Sequence, residues 1–381
     1  MNDTNEEKIS EEKTSEEKLP EESTPEGKNK KKKNKKKITL IVIAIVIGVL
    51  IIAALAGYLV FHHYYSKLDY NDGSEWESVD DSEYEDEYES SDLEEMSEDE
   101  QAALEAEMEE ALASIAALDT DTYNILLVGV DSRSDSNTGR SDCMILISVD
   151  EEDKEIVMTS FLRDIYLSIP GYGYNRLNAS FAYGGPELLK STLLSNFGIQ
   201  VDKYVVVNFY TVMDFIDAVG GVDIEVTAEE IAVMNNYIKS HNSLLGNAEG
   251  TDIISESDAG LLHLNGSQAL AYARVRYVGT DFARTGRQRE ILTQVFEKMG
   301  ETSILDMVSL LDEFLPSVTT DLTEGEFASI LLMLLDASSY SVESMAIPID
   351  GSWSNANING MAVLTIDFQT NINAWYELVA D

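Results

Sequence analysis

"NILLVGVDSRSDSNTGRSDCMILISVD", residues 124–150, decides the fold. Two apolar runs of strand length flank a polar loop. The first, "YNILLVGVD" (123–131), ends in Gly and Asp, as a buried strand opening into a loop would. "DCMILISVD" (142–150) is a second strand, and "EIVMTSFLRD" (155–164) a third. The acidic "DEEDKE" between them makes a hairpin-type turn. C-terminal to these strands, "GPELLKSTLLSNFG" (185–198) has a helical period and stops at Gly. Strand 203–209, helix 210–221, strand 222–226 and helix 265–274 follow. A longer helix runs from Asp281 to Gly300, with two more at about 303–315 and 323–337. "SVESMAIPI" and "AVLTIDF" read as late strands and "NINAWYELVA" as a closing helix. Strands and helices interleave, so residues 121–381 are expected to form one three-layer α/β/α domain around a mixed central sheet.

The first 120 residues have a different composition. Residues 1–27 are Glu, Lys, Ser, Thr and Pro with almost nothing to bury, and read as disordered. "KNKKKKNKKK" (28–37) abuts 24 uncharged residues, 38–61, long enough to cross a bilayer as one helix. Eight lysines on the N-terminal side put that tail, 1–37, in the cytoplasm and residue 62 onward outside the cell membrane, a single-pass topology. The run exceeds the length of a cleaved signal's apolar core. Residues 69–110 carry 21 Asp or Glu and no Lys or Arg, so 62–120 reads as an acidic stalk whose later part, "SEDEQAALEAEMEEALASIAAL", is helical. One cysteine, Cys143, excludes an internal disulfide framework, and its place in "CMILIS" reads as a small buried residue. His241 and His263 show no metal-ligand spacing.

The chain has a net charge of −44, yet all nine arginines lie between residues 133 and 289. Lysine supplies positive charge elsewhere. Arginine is a planar fork that grips phosphate bidentately, so its confinement to one domain points to an anionic ligand rather than to scattered ion pairs. A nucleic-acid partner is disfavoured by an outer location and a pI near 4.2. Arg274 and Arg276 share a face if that segment is extended. On the helix after Asp281, Arg284, Gln288, Ile291 and Val295 fall on one stripe; Arg287 lies at its edge and Arg289 points away, toward solvent. Asp131 ends one strand and Asp142 starts the next, an arrangement that suits either turn caps or a hard cation such as Mg²⁺. Arg163 and Asp164 end the third strand, and Asn175, Arg176 and Asn178 after the "PGYGY" turn can reach the same edge.

These blocks together ("NILLVGVDSR…GRSDCMILISVD", "TSFLRDIYLSIPGYGYNRLNASFAYGG", "YVVVNFYTVMDFIDAVGGVDIEV" and "HLNGSQALAYARVRY…DFARTGRQRE") resemble the LytR-CpsA-Psr family over about residues 122–300. The resemblance implies a phosphotransferase that moves an anionic glycopolymer, such as teichoic acid or capsule, from a polyprenyl-pyrophosphate carrier to peptidoglycan. It implies Asp131 and Asp142 as Mg²⁺ ligands. Arg140, Arg163, Arg274, Arg276, Arg284 and Gln288 would grip the pyrophosphate, with Arg133, Arg176, Asn178 and Arg287 as further members. Asp281 matches an acid of the site, and either it or Asp164 would serve as the base. An apolar pocket between sheet and helices, to which Ile291, Leu292, Val295 and Phe296 are candidates to contribute, would take the lipid. A lipid-pyrophosphate hydrolase and a non-catalytic envelope lipid-binding or regulatory protein are the alternatives. The sequence departs from the family at Cys143, where Thr is common after "RSD", and at "FLRD", where Pro commonly precedes the Arg.

Overall fold

A computed structural model describes residues 55, 57–74, 76, 93–113, 115–130, 140–275, 278, 281–301, 310 and 314–380. Among them no helix is long and apolar enough to cross a membrane; most of the span expected at 38–61 lies outside the described residues. The chain divides into two units, 1–60 and 61–381, and the second holds the strands and helices of the domain.

In chain order its elements are β1 (Asp69–Tyr70), α1 (Glu98–Leu112), β2 (Tyr123–Val130), β3 (Ser141–Asp150), β4 (Glu155–Phe161), β5 (Tyr166–Ile169), β6 (Gly173–Arg176), α2 (Leu177–Phe197), β7 (Lys203–Asn208), α3 (Phe209–Ala218), β8 (Val222–Val226), α4 (Ala228–Leu245), β9 (Gly260–Leu264), α5 (Gly266–Ala273), α6 (Asp281–Glu301), β10 (Thr319–Thr320), α7 (Glu324–Leu335), β11 (Ser341–Ile347), β12 (Trp353–Ile358), β13 (Met361–Ile366) and α8 (Phe368–Ala380). The main sheet has the order β1-β10-β7-β2-β3-β4-β11. It is mixed: β2 pairs antiparallel with β3 and parallel with β7, while β11 runs parallel to β4. β5–β6, β8–β9 and β12–β13 are separate hairpins.

The central strands are apolar on both faces because helices cover both. Leu126, Val128, Met144 and Leu146 join the large core with α2 and α8. Ile145 and Val149, one residue out of phase, pack on the other face with Leu292 and Phe296 of α6 and Met333 of α7. A further core, Ile216, Ile224, Ile231, Met234 and Ala269 among others, ties α3, α4 and α5 to Ile291 and Val295 of α6. Helix α6 therefore presents two apolar stripes to two different partners, where the sequence suggests one.

The acidic segment 62–120, expected as a stalk, does not all stand off the domain. β1 adds to the sheet edge beside β10. Helix α1 starts at a Ser97–Glu100 capping box, and Leu104, Met108 and Leu112, four residues apart, reach the main core. Its Glu105 accepts a 2.7 Å hydrogen bond from the Tyr166 hydroxyl. Charge density points to extension; the apolar stripe hidden within it prevails. The helix expected at 185–198 is longer, starting at Leu177 and broken at Gly184 and Gly185, where Gly185 takes φ 63°. Trp76 packs so closely there that a Cβ on Gly185 would meet its ring at 2.3 Å. Hairpin β5–β6, helix α4 and strands β9, β10 and β12 go beyond what the sequence pattern indicates. The helix expected at about 303–315 falls largely outside the described residues.

Candidate active site

β2, β4, β7 and β11 all point the same way, so their C-terminal ends share one edge of the sheet with the start of β3. In open α/β sheets ligands bind at that edge. The β2–β3 register shifts there: Gly129 faces Cys143 and Val130 faces Ser141, which leaves Asp142 as the extra residue of a bulge. A bulge re-aims its side chain out of the ladder. Gly129 is small for a reason, since a Cβ would stand 3.0 Å from that of Cys143 and 3.5 Å from the Phe209 ring.

Asp142 meets the end of β4. Arg163 Nη1 donates to Asp142 Oδ1 at 2.7 Å, and its Nε lies 3.5 Å from Asp164 Oδ2. Arg176 Nη1 donates to Asp164 Oδ1 at 3.4 Å. Arg163, Asp164 and Arg176 are all buried. The strip Asp142–Arg163–Asp164–Arg176 alternates in sign from the β3 bulge across the β4 end to β6. It is fixed from below: the backbone N–H of Asn178 donates to the Arg163 carbonyl at 3.2 Å and that of Leu177 to Ile165 at 2.8 Å. Asn178 is fully buried, and no group among the described residues hydrogen-bonds its side-chain amide. Arg140 precedes the bulge and is half-buried. Both Asp164 oxygens face guanidinium groups, which makes it a positioning anion more than a free base.

The second arginine group comes from α5 and α6. Arg274 closes α5 with helical dihedrals (φ −95°, ψ −5°), so it is not extended as its spacing from Arg276 suggests; the Asn265–Gln268 capping box drives the helix up to it. Its guanidinium lies 5.5 Å from the Phe209 ring centre and 5.2 Å from that of Tyr237, and Nη1 approaches His241 Nε2 at 3.4 Å. Burial, then the adjacent Arg274 charge, pushes the buried His241 imidazole down to about 4. It is thus neutral at pH 7 and able to accept from Arg274. Arg284 is buried, as its stripe requires, and Gln288 is half-buried.

Arg287, a candidate phosphate ligand, has structural work instead. Its Nε donates to Glu230 Oε1 at 2.8 Å, Nη1 to the Val275 carbonyl at 2.9 Å and Nη2 to that of Val278 at 2.6 Å. Glu230 also caps α4 through Thr227. Burial opposes ionisation of Glu230, but the Thr227 N–H, Arg287 and the Thr227 hydroxyl together hold its carboxyl below the usual range. Arg289, which a one-stripe helix sends to solvent, is half-buried, with Nε and Nη1 sealed from water. It continues the second stripe of α6, three residues before Leu292 and seven before Phe296. Cys143 lies within electrostatic reach of Arg284, Asp142 and Arg289, yet burial pushes its thiol up to about 12. It is no thiolate nucleophile.

Asp131, Arg133 and Arg276 lie outside the described residues, as does the side chain of Asp281, whose backbone opens α6. Among the described residues no group of three or more His, Cys, Asp or Glu is poised around a metal. His241, Phe209 and Tyr237 are supports of Arg274 that charge spacing could not find; they come from distant segments, and only the "HLNGSQ" cap signal hints at the geometry.

A model of the LytR_cpsA_psr family matches residues 85–378. The polyisoprenyl-teichoic acid–peptidoglycan teichoic acid transferase TagU of Halalkalibacterium halodurans is 34% identical over 206 residues, 53% of this chain and 62% of that protein. The match thus spans less than two thirds of that relative. Bacillus subtilis TagT, solved bound to LIIa-WTA, is 25% identical with a TM-score of 0.54 over 68% of this chain and 89% of its own. TagT with bound octaprenyl pyrophosphate lipid, at 23% identity and a TM-score of 0.51 over 68% of this chain and 91% of its own, has the same fold.

Proposed function

Since the chain belongs to the LytR-CpsA-Psr family, we propose that it is a membrane-anchored phosphotransferase acting on the cell envelope. It takes an anionic glycopolymer from a polyprenyl-pyrophosphate carrier and joins it to a peptidoglycan hydroxyl through a phosphodiester. The TagU relative, named for transfer of teichoic acid to peptidoglycan, supports the substrate class. The observation that carries the reading is the strip Asp142–Arg163–Asp164–Arg176, buried from Arg163 onward, at the C-terminal edge of parallel strands. Arg163, held on both sides by carboxylates, and Arg176, held by Asp164, are fixed in orientation, and preoriented guanidiniums stabilise charge that develops on a departing phosphate. Phosphoryl transfer asks little more of a protein than positioning and neutralisation.

In this reading Arg163 and Arg176, with Arg140, Arg274, Arg276, Arg284 and Gln288, receive the pyrophosphate oxygens. Asp281 is the remaining candidate for the acceptor's base, because Asp164 already faces two guanidiniums. Hard carboxylate oxygens suit Mg²⁺, and Asp142 on its bulge would hold that ion with Asp131. Bound there, it would neutralise phosphate charge. Residues 38–61 supply the anchor, with 1–37 in the cytoplasm and the domain outside.

The test incubates the full chain in detergent with a lipid-pyrophosphate oligosaccharide, Mg²⁺ and peptidoglycan oligomers. A phosphodiester-linked product is expected. Free sugar phosphate alone would assign a hydrolase; binding without any product would leave a lipid-binding protein.

A further inference from the structure

Arg163, Arg176, Arg284 and Arg289 each have sealed guanidinium nitrogens without a hydrogen bond, but Arg163 and Arg176 hold carboxylates through their other nitrogens, and Arg289 does not. A guanidinium with water-sealed nitrogens ordinarily has acceptors, because leaving such donors unmet is costly. In Arg289, Nε and Nη1 are both sealed and no acceptor among the described residues bonds either. Arg287, two residues earlier on the same helix, shows the ordinary solution: a carboxylate and two carbonyls. Cys143 lies near Arg289, and no carboxylate among the described residues pairs with that guanidinium. Among the described residues the fold half-buries a positive charge, seals two of its nitrogens and supplies no hydrogen-bonded anion for it. The location is not arbitrary. Cys143 adjoins Asp142 and faces Gly129 at the bulge, and Arg284 also acts on it.

We propose that Arg289 binds a phosphate oxyanion of the substrate and is a further substrate-positioning residue of the transfer site. This rests on the phosphotransferase reading and deepens it. The anion has two sources, the pyrophosphate of the lipid-linked donor or a backbone phosphate of the polymer it carries. Either one completes the hydrogen bonding of the guanidinium. A residue kept for a ligand stabilises the bound state at the expense of the free one. That sign separates it from a structural arginine: removing Arg289 weakens binding without weakening the unliganded fold.

The test uses the full chain in detergent as wild type, Arg289→Met and Arg289→Lys. Affinity is measured for undecaprenyl pyrophosphate and, separately, for a soluble poly(glycerol phosphate), and melting is followed without ligand. Arg289→Met should bind at least one of the two tenfold more weakly, with an unliganded melting temperature equal to or above wild type. Arg289→Lys, which keeps charge but loses the fork, should fall between. The ligand whose affinity drops identifies the source. Affinities within twofold of wild type for both ligands overturn the proposal, as does a melting temperature several degrees lower for Arg289→Met. If that variant does not fold, wild-type affinity in Arg289→Lys overturns it equally. Failure of wild type itself to bind either ligand would instead refute the phosphotransferase reading.

Discussion

Two regions supply the arginines, and they treat charge in opposite ways. At the strand ends, Arg163 and Arg176 are interleaved with Asp142 and Asp164, so two guanidiniums meet two carboxylates before any ligand arrives. On helix α6, Arg287 is fully committed to Glu230 and two carbonyls while Arg289 has no acceptor among the described residues. The first region is preorganised by pairing. The second divides the work between one arginine that fixes the helix and another left open. An arginine count therefore says little about ligand binding; what counts is which guanidiniums the fold has already used.

Arg163→Ala tests the strand-end strip most sharply. Arg163 links Asp142 on β3 to Asp164 just past the end of β4, so its loss disconnects the strip as well as removing a donor. Transfer measured as kcat/KM should fall about a thousandfold, roughly 4 kcal/mol. Arg163→Lys should recover only a small part, because an ammonium cannot span both acids as a fork does. Activity within threefold of wild type in Arg163→Ala would remove the strip from the site.

Arg287→Ala probes the other side through stability. Removing one partner of a buried pair strands Glu230, at a cost of roughly 3–5 kcal/mol. Urea unfolding should show that loss. A double-mutant cycle with Glu230→Gln should show strong coupling, since the same carboxylate caps α4. A loss of phosphate affinity with unchanged stability would return Arg287 to the ligand set.

Much of this is legible in the sequence. The strands at 123–131, 142–150 and 155–164 announce themselves as unbroken apolar runs, because central strands are covered on both faces. The edge that gathers Asp142, Arg163 and Asp164 follows from where those runs end. Orientation on α6 is harder. A helical wheel with one apolar stripe sends Arg289 to solvent, but α6 is buried along two, Ile291–Val295 and Leu292–Phe296. The short hairpin β5–β6 shows in the sequence only as the turn at its tip, since four-residue strands carry little periodicity. The support beneath Arg274 is invisible there because Phe209, Tyr237 and His241 come from separate segments.

His241 gives the pH test. In the unfolded chain its imidazole titrates near the ordinary 6.5, and in the fold it is pushed down to about 4. The unfolded state therefore binds the extra proton first. Its contribution to stability is complete above about 6.5, declines as pH falls toward 4, and reaches up to about 3 kcal/mol lost. His241→Gln should flatten the stability profile between pH 6.5 and 4, measured by urea unfolding at each pH. An unchanged profile would show that His241 is not held neutral beside Arg274.

The smallest effect tests how Arg274 is held in place. Its guanidinium has Tyr237 on one contact and Phe209 on another, at 5.2 and 5.5 Å. A partly buried cation–π contact contributes about 1 kcal/mol. Tyr237→Leu keeps apolar bulk but removes the ring's negative face, so Arg274 should lose orientation without losing charge. The expected result is a several-fold rise in KM for the lipid-linked donor with little change in unfolding free energy. Tyr237→Phe, which keeps the ring, should restore KM to within twofold. Equal KM values for the Leu and Phe variants would mean that the aromatic face does not orient Arg274, leaving the neutral His241 as its anchor and making the pH profile the decisive measurement on that side of the site.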